Sequence, residues 1–206
     1  MSWAEIRTVD ELVRLVGVPG SRAANKVRPA LHDLDRQWLA ASPFCLLGTA
    51  DGAGNCDVSP KGDPAGQLAY VLDERTIAIA ERPGNRRVDG YQNVITNPHV
   101  GLIFLVPGRA DTLRINGRAR LVSDAPFFDE LVVKGHRPIL ALVVDIDEIF
   151  YHCSKAFLRS RLWRPETWVD PVPSRAVIAA TLEPGDMSLE ELTAYYGPTY
   201  ADKLYG

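Results

Sequence analysis

The sequence predicts a mainly β protein with added helices (α+β class). The expected architecture is a six- or seven-stranded antiparallel sheet closing into a barrel, with helices at both ends. Three observations carry this. From Phe44 to about residue 152, short β-rich runs alternate with Gly-, Pro- and Asp-rich turns, the grammar of hairpins. Before and after that region, apolar residues recur at helical spacing instead. Repeated strand–helix alternation is absent, which argues against a doubly wound parallel sheet.

The elements follow in order. "TVDELVRLVG" places Leu12, Leu15 and Val16 at helical spacing behind a Thr8 or Asp10 cap. A break at "PGSRAANKVRP" precedes a second helix, "ALHDLDRQWLAAS", with Leu31, Leu34, Trp38 and Leu39 on one face. "FCLLGTA" and "NCDVSP" flank "DGAG" and read as a hairpin, while "KGDPAG" is too rich in Gly, Pro and Asp to be regular. "LAYVLD" and "TIAIAE" form a second pair around Asp73–Arg75. A helix opening at Arg86 and Arg87 runs to about Thr96, burying Val88, Tyr91 and Ile95, and stops at "NP". "HVGLIFLV" and the long "TLRINGRARLV" are strands joined by "PGRAD". "SDAPFFDELVVKG" is expected as a capped helix with Phe128, Leu131 and Val132 inward. "PILALVVDIDEIFYH" is a further strand, apolar on both faces until Asp145. "SKAFLRSRLW" is helical, and Ser188 with Glu191 forms a capping box at the start of "SLEELTAYYG".

These elements make one domain over residues 1–206: a helical arm (1–42), a barrel (43–152) and a helical C-terminal segment (153–206). The arm is a candidate dimer element. With 46% hydrophobic and 24% charged residues the composition is that of a soluble globular protein. A net charge of −3 argues against a chain built to coat nucleic acid or an anionic membrane. No run of eighteen apolar residues exists, and the acidic start without an apolar core predicts no signal peptide. The three cysteines, Cys45, Cys56 and Cys153, form no CxxC pair, so disulfides and zinc are not expected and a cytoplasmic location is.

The usual catalytic signatures are missing: there is no GxSxG, GxxxxGK[ST], HExxH or GxGxxG. His32, His99, His136 and His152 lie in unrelated segments, so no metal site is expected from them. Polar and cationic residues instead concentrate at strand ends. These are "DVSPKGD" with Ser59 and Lys61, "PGNRR" with Asn85, Arg86 and Arg87, and "DTLRINGRAR" with Thr112, Arg114, Arg118 and Arg120. Outward arginines are commonly solvated or paired with acids. The Arg86–Arg87 pair is harder to account for, because cations at a helix start oppose its dipole. An anion held between them and the free helix N–H groups would remove that conflict, and a phosphate has the right charge. Lys61 is a third cation available to it.

The stretch "TIAIAERPGNRRVDGYQNVITNPHVGLIFLVPGRADTLRINGRARLV" resembles the pyridoxamine 5′-phosphate oxidase-like, FMN-binding split-barrel superfamily. Its members run from a strand through a glycine-containing turn to two cationic residues. A short helix ending "NP", an apolar strand and a strand carrying "xxGxaxxv" follow, an order that residues 44–122 share. "DVSPKGDPAG" and "YHCSKAFLRSRLW" are further similar to an uncharacterised FMN-dependent subgroup.

The resemblance implies a split barrel of flavin-reductase type and a homodimer holding FMN at its interface. Arg86 and Arg87 match the pair that holds the FMN phosphate. Ser59, Pro60 and Lys61 match the segment along the flavin ring. Glu81 and Arg82, with Asn85 in the turn, fall where the chain approaches the ribityl group. Thr112 stands where the oxidase uses a Gln. From the second subunit, His152, Cys153, Ser154, Lys155 and Trp163 would close the site over the ring. Lys61 or Lys155 could tune the flavin potential.

The chain ends "YYGPTYADKLYG" rather than in the oxidase's Arg/Trp-rich "RLxP" segment, so the vitamin B6 substrate does not carry over. The expected function is therefore a flavin-dependent oxidoreductase acting on a small molecule, with NAD(P)H as a possible donor. The alternatives are a non-catalytic flavin- or haem-binding protein, haem requiring His152 or His99 as axial ligand, and an F420-dependent reductase.

Overall fold

Residues 3–169, 172–183 and 185–205 are described by a computed structural model of the chain. Seven strands form one antiparallel sheet: β1 (Phe44–Ala50), β2 (Cys56–Gly62), β3 (Tyr70–Val71), β4 (Thr76–Ala80), β5 (His99–Leu105), β6 (Thr112–Val122) and β7 (Ala141–His152). Their spatial order is β2-β1-β5-β6-β7-β4-β3. Consecutive strands pair as hairpins (β1/β2, β3/β4, β5/β6), because the short Gly-, Asp- and Pro-bearing turns leave antiparallel return as the easy route. The long β6/β7 ladder, from Thr112↔His152 to Val122↔Ala141, joins the two halves. A register shift opposite Asn116/Gly117 leaves Asp147 as an extra residue on β7, a bulge.

The sheet does not close. No ladder joins β2 to β3 or β4, so the barrel is split there, as the family resemblance implies. Pro60 lies within β2 and has no N–H to donate to a further strand, which suits β2 to an edge. β3 has only two residues and offers little edge to pair.

One face of this curved sheet is packed. Cys45 and Leu47 of β1, Leu102 and Phe104 of β5, Leu113 and Ile115 of β6 and Val144 and Ile149 of β7 alternate into one core with Ile77 and Ile79. Helix α3 (Asp33–Ala41) adds Trp38 and Leu39, and helix α4 (Asp89–Thr96) adds Tyr91 and Val94. The preceding segment completes the β7 edge: Arg28 and Ile149 exchange backbone hydrogen bonds of 3.1 and 2.8 Å.

Several helical faces differ from the expected ones. Leu34 (59% exposed), Ile95 (74%) and Val132 (37%) point outward, while Val94 and Val133 take the core positions. A periodic stripe says that one side is apolar; the packing partner decides which rim of it is covered. Residues Pro126–Leu131 form an uncapped 3₁₀ turn rather than a capped helix, with Phe128 and Leu131 buried as expected. The N-terminal helix α1 (Val9–Val16, after helix start Thr8) has its capping box, yet buries none of its residues. A short helix α2 (Ser21–Ala24) follows it. Beyond β7 lie α5 (Lys155–Ser160), α6 (Arg175–Leu182), which the sequence patterns did not suggest, and α7 (Leu189–Tyr195) with its Ser188/Glu191 capping box. No helix among the described residues is long and apolar enough to cross a membrane.

Candidate functional site

The split is bridged by side chains. Lys61, near the end of β2, donates from Nζ to Glu81 Oε2 at 2.9 Å, just beyond β4. Two residues beyond Lys61 and one beyond Glu81, Arg82 Nε donates to Asp63 Oδ2 at 2.7 Å, and both side chains are largely buried. Tyr91, brought in by α4, donates its hydroxyl to the same Glu81 oxygen at 2.5 Å, with Lys61 Nζ 4.3 Å from its ring centroid. Burial and the neighbouring Glu81 carboxylate both push the Tyr91 hydroxyl well above its ordinary range, so it stays a donor.

Around these bridges lies a groove of about 440 Å³, lined by Ser59, Pro60, Lys61, Glu81, Arg82, Asn85 and Arg87, with Leu68 and Ala80 as apolar wall. An adjoining cavity of about 890 Å³ shares Glu81, Arg82 and Asn85 and adds Arg86. Eight of the residues singled out from the sequence are therefore gathered at one place. Both volumes lie in the range of small-molecule sites.

The two arginines do not sit on the helix. α4 starts at Asp89, with an acid rather than a base in its first turn, as the dipole favours. What fixes the helix start is close packing: a Cβ on Gly90 would lie 3.2 Å from Asp57 Oδ2 and 3.4 Å from Thr49 Oγ1. Arg86 and Arg87 belong to the loop before it, and the loop is shaped locally. Asn85 Oδ1 accepts from the Arg87 backbone N–H at 2.9 Å, an Asx turn. Arg86 takes a left-handed conformation (φ 60°), costly for a residue with a Cβ.

Charge pairing separates the four cations of the groove. Lys61 is committed to Glu81, Arg82 to Asp63, and the exposed Arg87 to Asp89 at 2.5 Å. Among the described residues, Arg86 makes no hydrogen bond and no ion pair. Attraction for an anion is therefore concentrated at Arg86, with Arg87 able to exchange its exposed partner. Lys61, expected as a third cation, lies beside the groove but is paired with Glu81.

The second group lies elsewhere. Thr112 is buried opposite His152 at the far end of β6/β7. Cys153 is exposed, Ser154 precedes α5 without a side-chain cap bond, and Lys155 begins that helix. Trp163 stacks on Phe157 with centroids 6.0 Å apart and donates from Nε1 to the Arg109 carbonyl at 2.6 Å. Glu81 N–H bonds the Leu140 carbonyl at the opposite end of β7. Twelve strand residues span about 36–40 Å along the chain, so one protomer does not bring the two groups together.

Sequence reasoning missed Asp63, Leu204 and Tyr205. Tyr205 donates its hydroxyl to Asp63 Oδ1 at 3.0 Å, beneath the Arg82 guanidinium, and Leu204 lines both cavities. Asp63 lay in a loop with no pattern, and nothing local links it to a residue 142 positions away.

The structure is a split antiparallel sheet with flanking helices and a charged groove at the split. The chain belongs to the pyridoxamine 5′-phosphate oxidase family, whose model matches residues 31–153, more than half of it. No curated protein matches the chain. Among similar solved structures is the HupZ protein of Group A Streptococcus, at 16% identity and TM-score 0.47, covering 59% of this chain and 93% of that one. An FMN-binding protein from Syntrophomonas wolfei shows 14% identity and TM-score 0.44 over 59% and 90%. General Stress Protein 26 of Bacillus anthracis shows 13% and 0.43 over 56% and 88%.

Proposed function

We propose that this protein is an FMN-binding flavoprotein, a homodimeric and cytoplasmic flavin-dependent oxidoreductase acting on a small molecule, with each cofactor at the subunit interface. The observation that carries the reading is Arg86: a cation at the adjoining cavity with no partner among the described residues, held in a costly backbone conformation beside Arg87, in a chain of this family. Strain of this kind persists where function requires it.

The donor set fits a flavin phosphate. Arg86 and Arg87 would grip it, with Asn85 holding their loop. Pro60, Leu68 and Ala80 would supply an apolar wall, and Ser59 a hydroxyl beside it. The Lys61–Glu81–Tyr91 cluster and the Arg82–Asp63 pair would keep the split at fixed width, since each is tied to both sides. Thr112, with His152, Cys153, Ser154, Lys155 and Trp163 of a second copy, would cover the open side, which explains why one chain holds the two groups so far apart. Bound there, FMN supplies the two-electron chemistry, with NAD(P)H a candidate donor, so no protein nucleophile is required.

The test is purification followed by a visible spectrum and a light-scattering mass. The expected result is a dimer carrying flavin bands. The double variant Arg86→Ala/Arg87→Ala should remain a folded dimer and lose roughly 3–6 kcal/mol of binding, a Kd at least a hundredfold weaker. Full flavin content in that variant overturns the phosphate assignment. A Soret band would instead establish haem.

A further inference from the structure

A second cationic cluster lies at the end of β7 away from the groove, and three observations single it out. On the outer face of β6, Arg120 pairs with Asp145 and Asn116 donates to Glu148, but Arg114 faces Phe150 across the ladder. The Arg114 guanidinium lies 4.9 Å from the Phe150 ring centroid, and its Nε is buried with no hydrogen-bond partner. An orphaned buried donor on a charged group is expensive and marks a missing acceptor. Lys26 then brings a second cation to the same ring, 5.0 Å from its centroid. Its position is set by its hydrogen bond to the Tyr151 carbonyl (2.8 Å) and by the Arg28–Ile149 backbone bridge two residues on.

His152 completes the cluster. It lies two residues beyond Phe150 on β7, and alternation puts both on the same face. Its pKa is held below the ordinary value first by burial, then by the positive charges of Lys26 and Arg114. The nearby acids are already used: Asp35 by Arg28 and Asp111 by Arg109. Among the described residues, neither Lys26 nor Arg114 has a carboxylate partner.

We propose that Lys26, Arg114 and His152 form an oxyanion site for a small molecule bearing a phosphate or carboxylate group. An oxyanion fits each feature of the cluster: it accepts from Arg114 Nε, offsets two adjacent positive charges, and takes a proton-bearing nitrogen from His152. Within one chain the cluster lies apart from Arg86 and Arg87, and it shares only His152 with the cover that the flavin reading draws from a second copy.

The experiment follows the His152 ring resonances of the full chain by NMR, identified by their loss in His152→Gln, during titration with inorganic phosphate. A parallel titration with sodium acetate separates phosphate from carboxylate preference, and sodium chloride at equal ionic strength gives the screening baseline. Saturable shifts beyond that baseline are expected with at least one oxyanion. They should weaken about tenfold in Arg114→Gln and in Lys26→Gln, and survive in Arg114→Lys. Shifts no larger than those from chloride overturn the site. So does a mass that falls from dimer to monomer in Arg114→Gln with phosphate response intact, because the cations would then serve a subunit contact.

Discussion

Replacing Arg86 by glycine should make the protein more stable and worse at holding its ligand. Arg86 sits at φ 60°, where a Cβ crowds the backbone at a cost of about 1–2 kcal/mol. Glycine removes that crowding but gives back roughly 0.4–1 kcal/mol through the greater freedom of its unfolded chain. The net gain is about 0–1.6 kcal/mol, or at most roughly 3–6 °C in Tm for a chain of this size. Arg86→Ala keeps the Cβ and the strain, so it should gain nothing. Both variants remove the same guanidinium and should lose about 1.5–3 kcal/mol of FMN affinity, roughly a tenfold to 150-fold rise in Kd. Thermal melts of flavin-free protein read the first effect, and quenching of flavin fluorescence reads the second. Equal stability of the glycine and alanine variants would remove the strain argument. Wild-type affinity in both would remove Arg86 from the site.

Three further predictions rest on the rest of the fold. Burial pushes the Asp35 carboxyl up, but two hydrogen bonds from Arg28 and one from the His32 backbone hold it below its ordinary 3.8. Its folded pKa is thus lower than its unfolded one, so its stabilising contribution is complete above about pH 4 and fades as pH falls through the lowered value. Arg28→Gln should cost about 2–3 kcal/mol in urea unfolding near neutrality, and progressively less as pH falls through the lowered pKa of Asp35, below which the carboxyl is neutral; a cost that stays constant over that range would sink the idea. Burial pushes the Cys45 thiol up to about 12 against the pull of Lys61, whereas Cys56 and Cys153 are exposed. A disulfide reagent should therefore find two fast thiols in the native chain and the third only on unfolding. Gly117→Ala would set a Cβ 2.1 Å from the Asp145 carbonyl oxygen, a backbone atom that cannot swing aside. The bulge must open, at a cost of about 1–3 kcal/mol seen as a lower Tm; a neutral result would mean that the β6/β7 register is looser than described.

The local elements were largely legible because their causes are local. Turn residues such as "DGAG" and Asp73–Arg75 set the β1/β2 and β3/β4 hairpins. The family was legible as well, because its order of turn, cation pair, helix and strands is a sequence property. Helix faces were read less well: Leu34 and Ile95 sit on the rim of their apolar stripes, and only the neighbouring element decides whether a rim is covered. Helix α6 carried no cap-and-stripe pattern strong enough to detect, since its residues are mostly small or apolar all round.

Arg86 and Arg87 mark the boundary between the two kinds of information. Their presence, their adjacency and the Gly-Asn turn before them were in the sequence, and so was the inference of an anion. That they stand in a loop before α4, whose first turn packs through Gly90 against Asp57 and Thr49, residues 33 and 41 positions earlier, came from the structure. Which cations remain free was decided by contacts that no local pattern encodes: Glu81 with Lys61 across the split, Asp63 with Arg82 and Tyr205. By itself the sequence determined the strands, the turns and the family. The open sheet edge and the pairing of charges came from the tertiary structure, because ion pairs form between groups that folding brings within about 3 Å, whatever their separation along the chain.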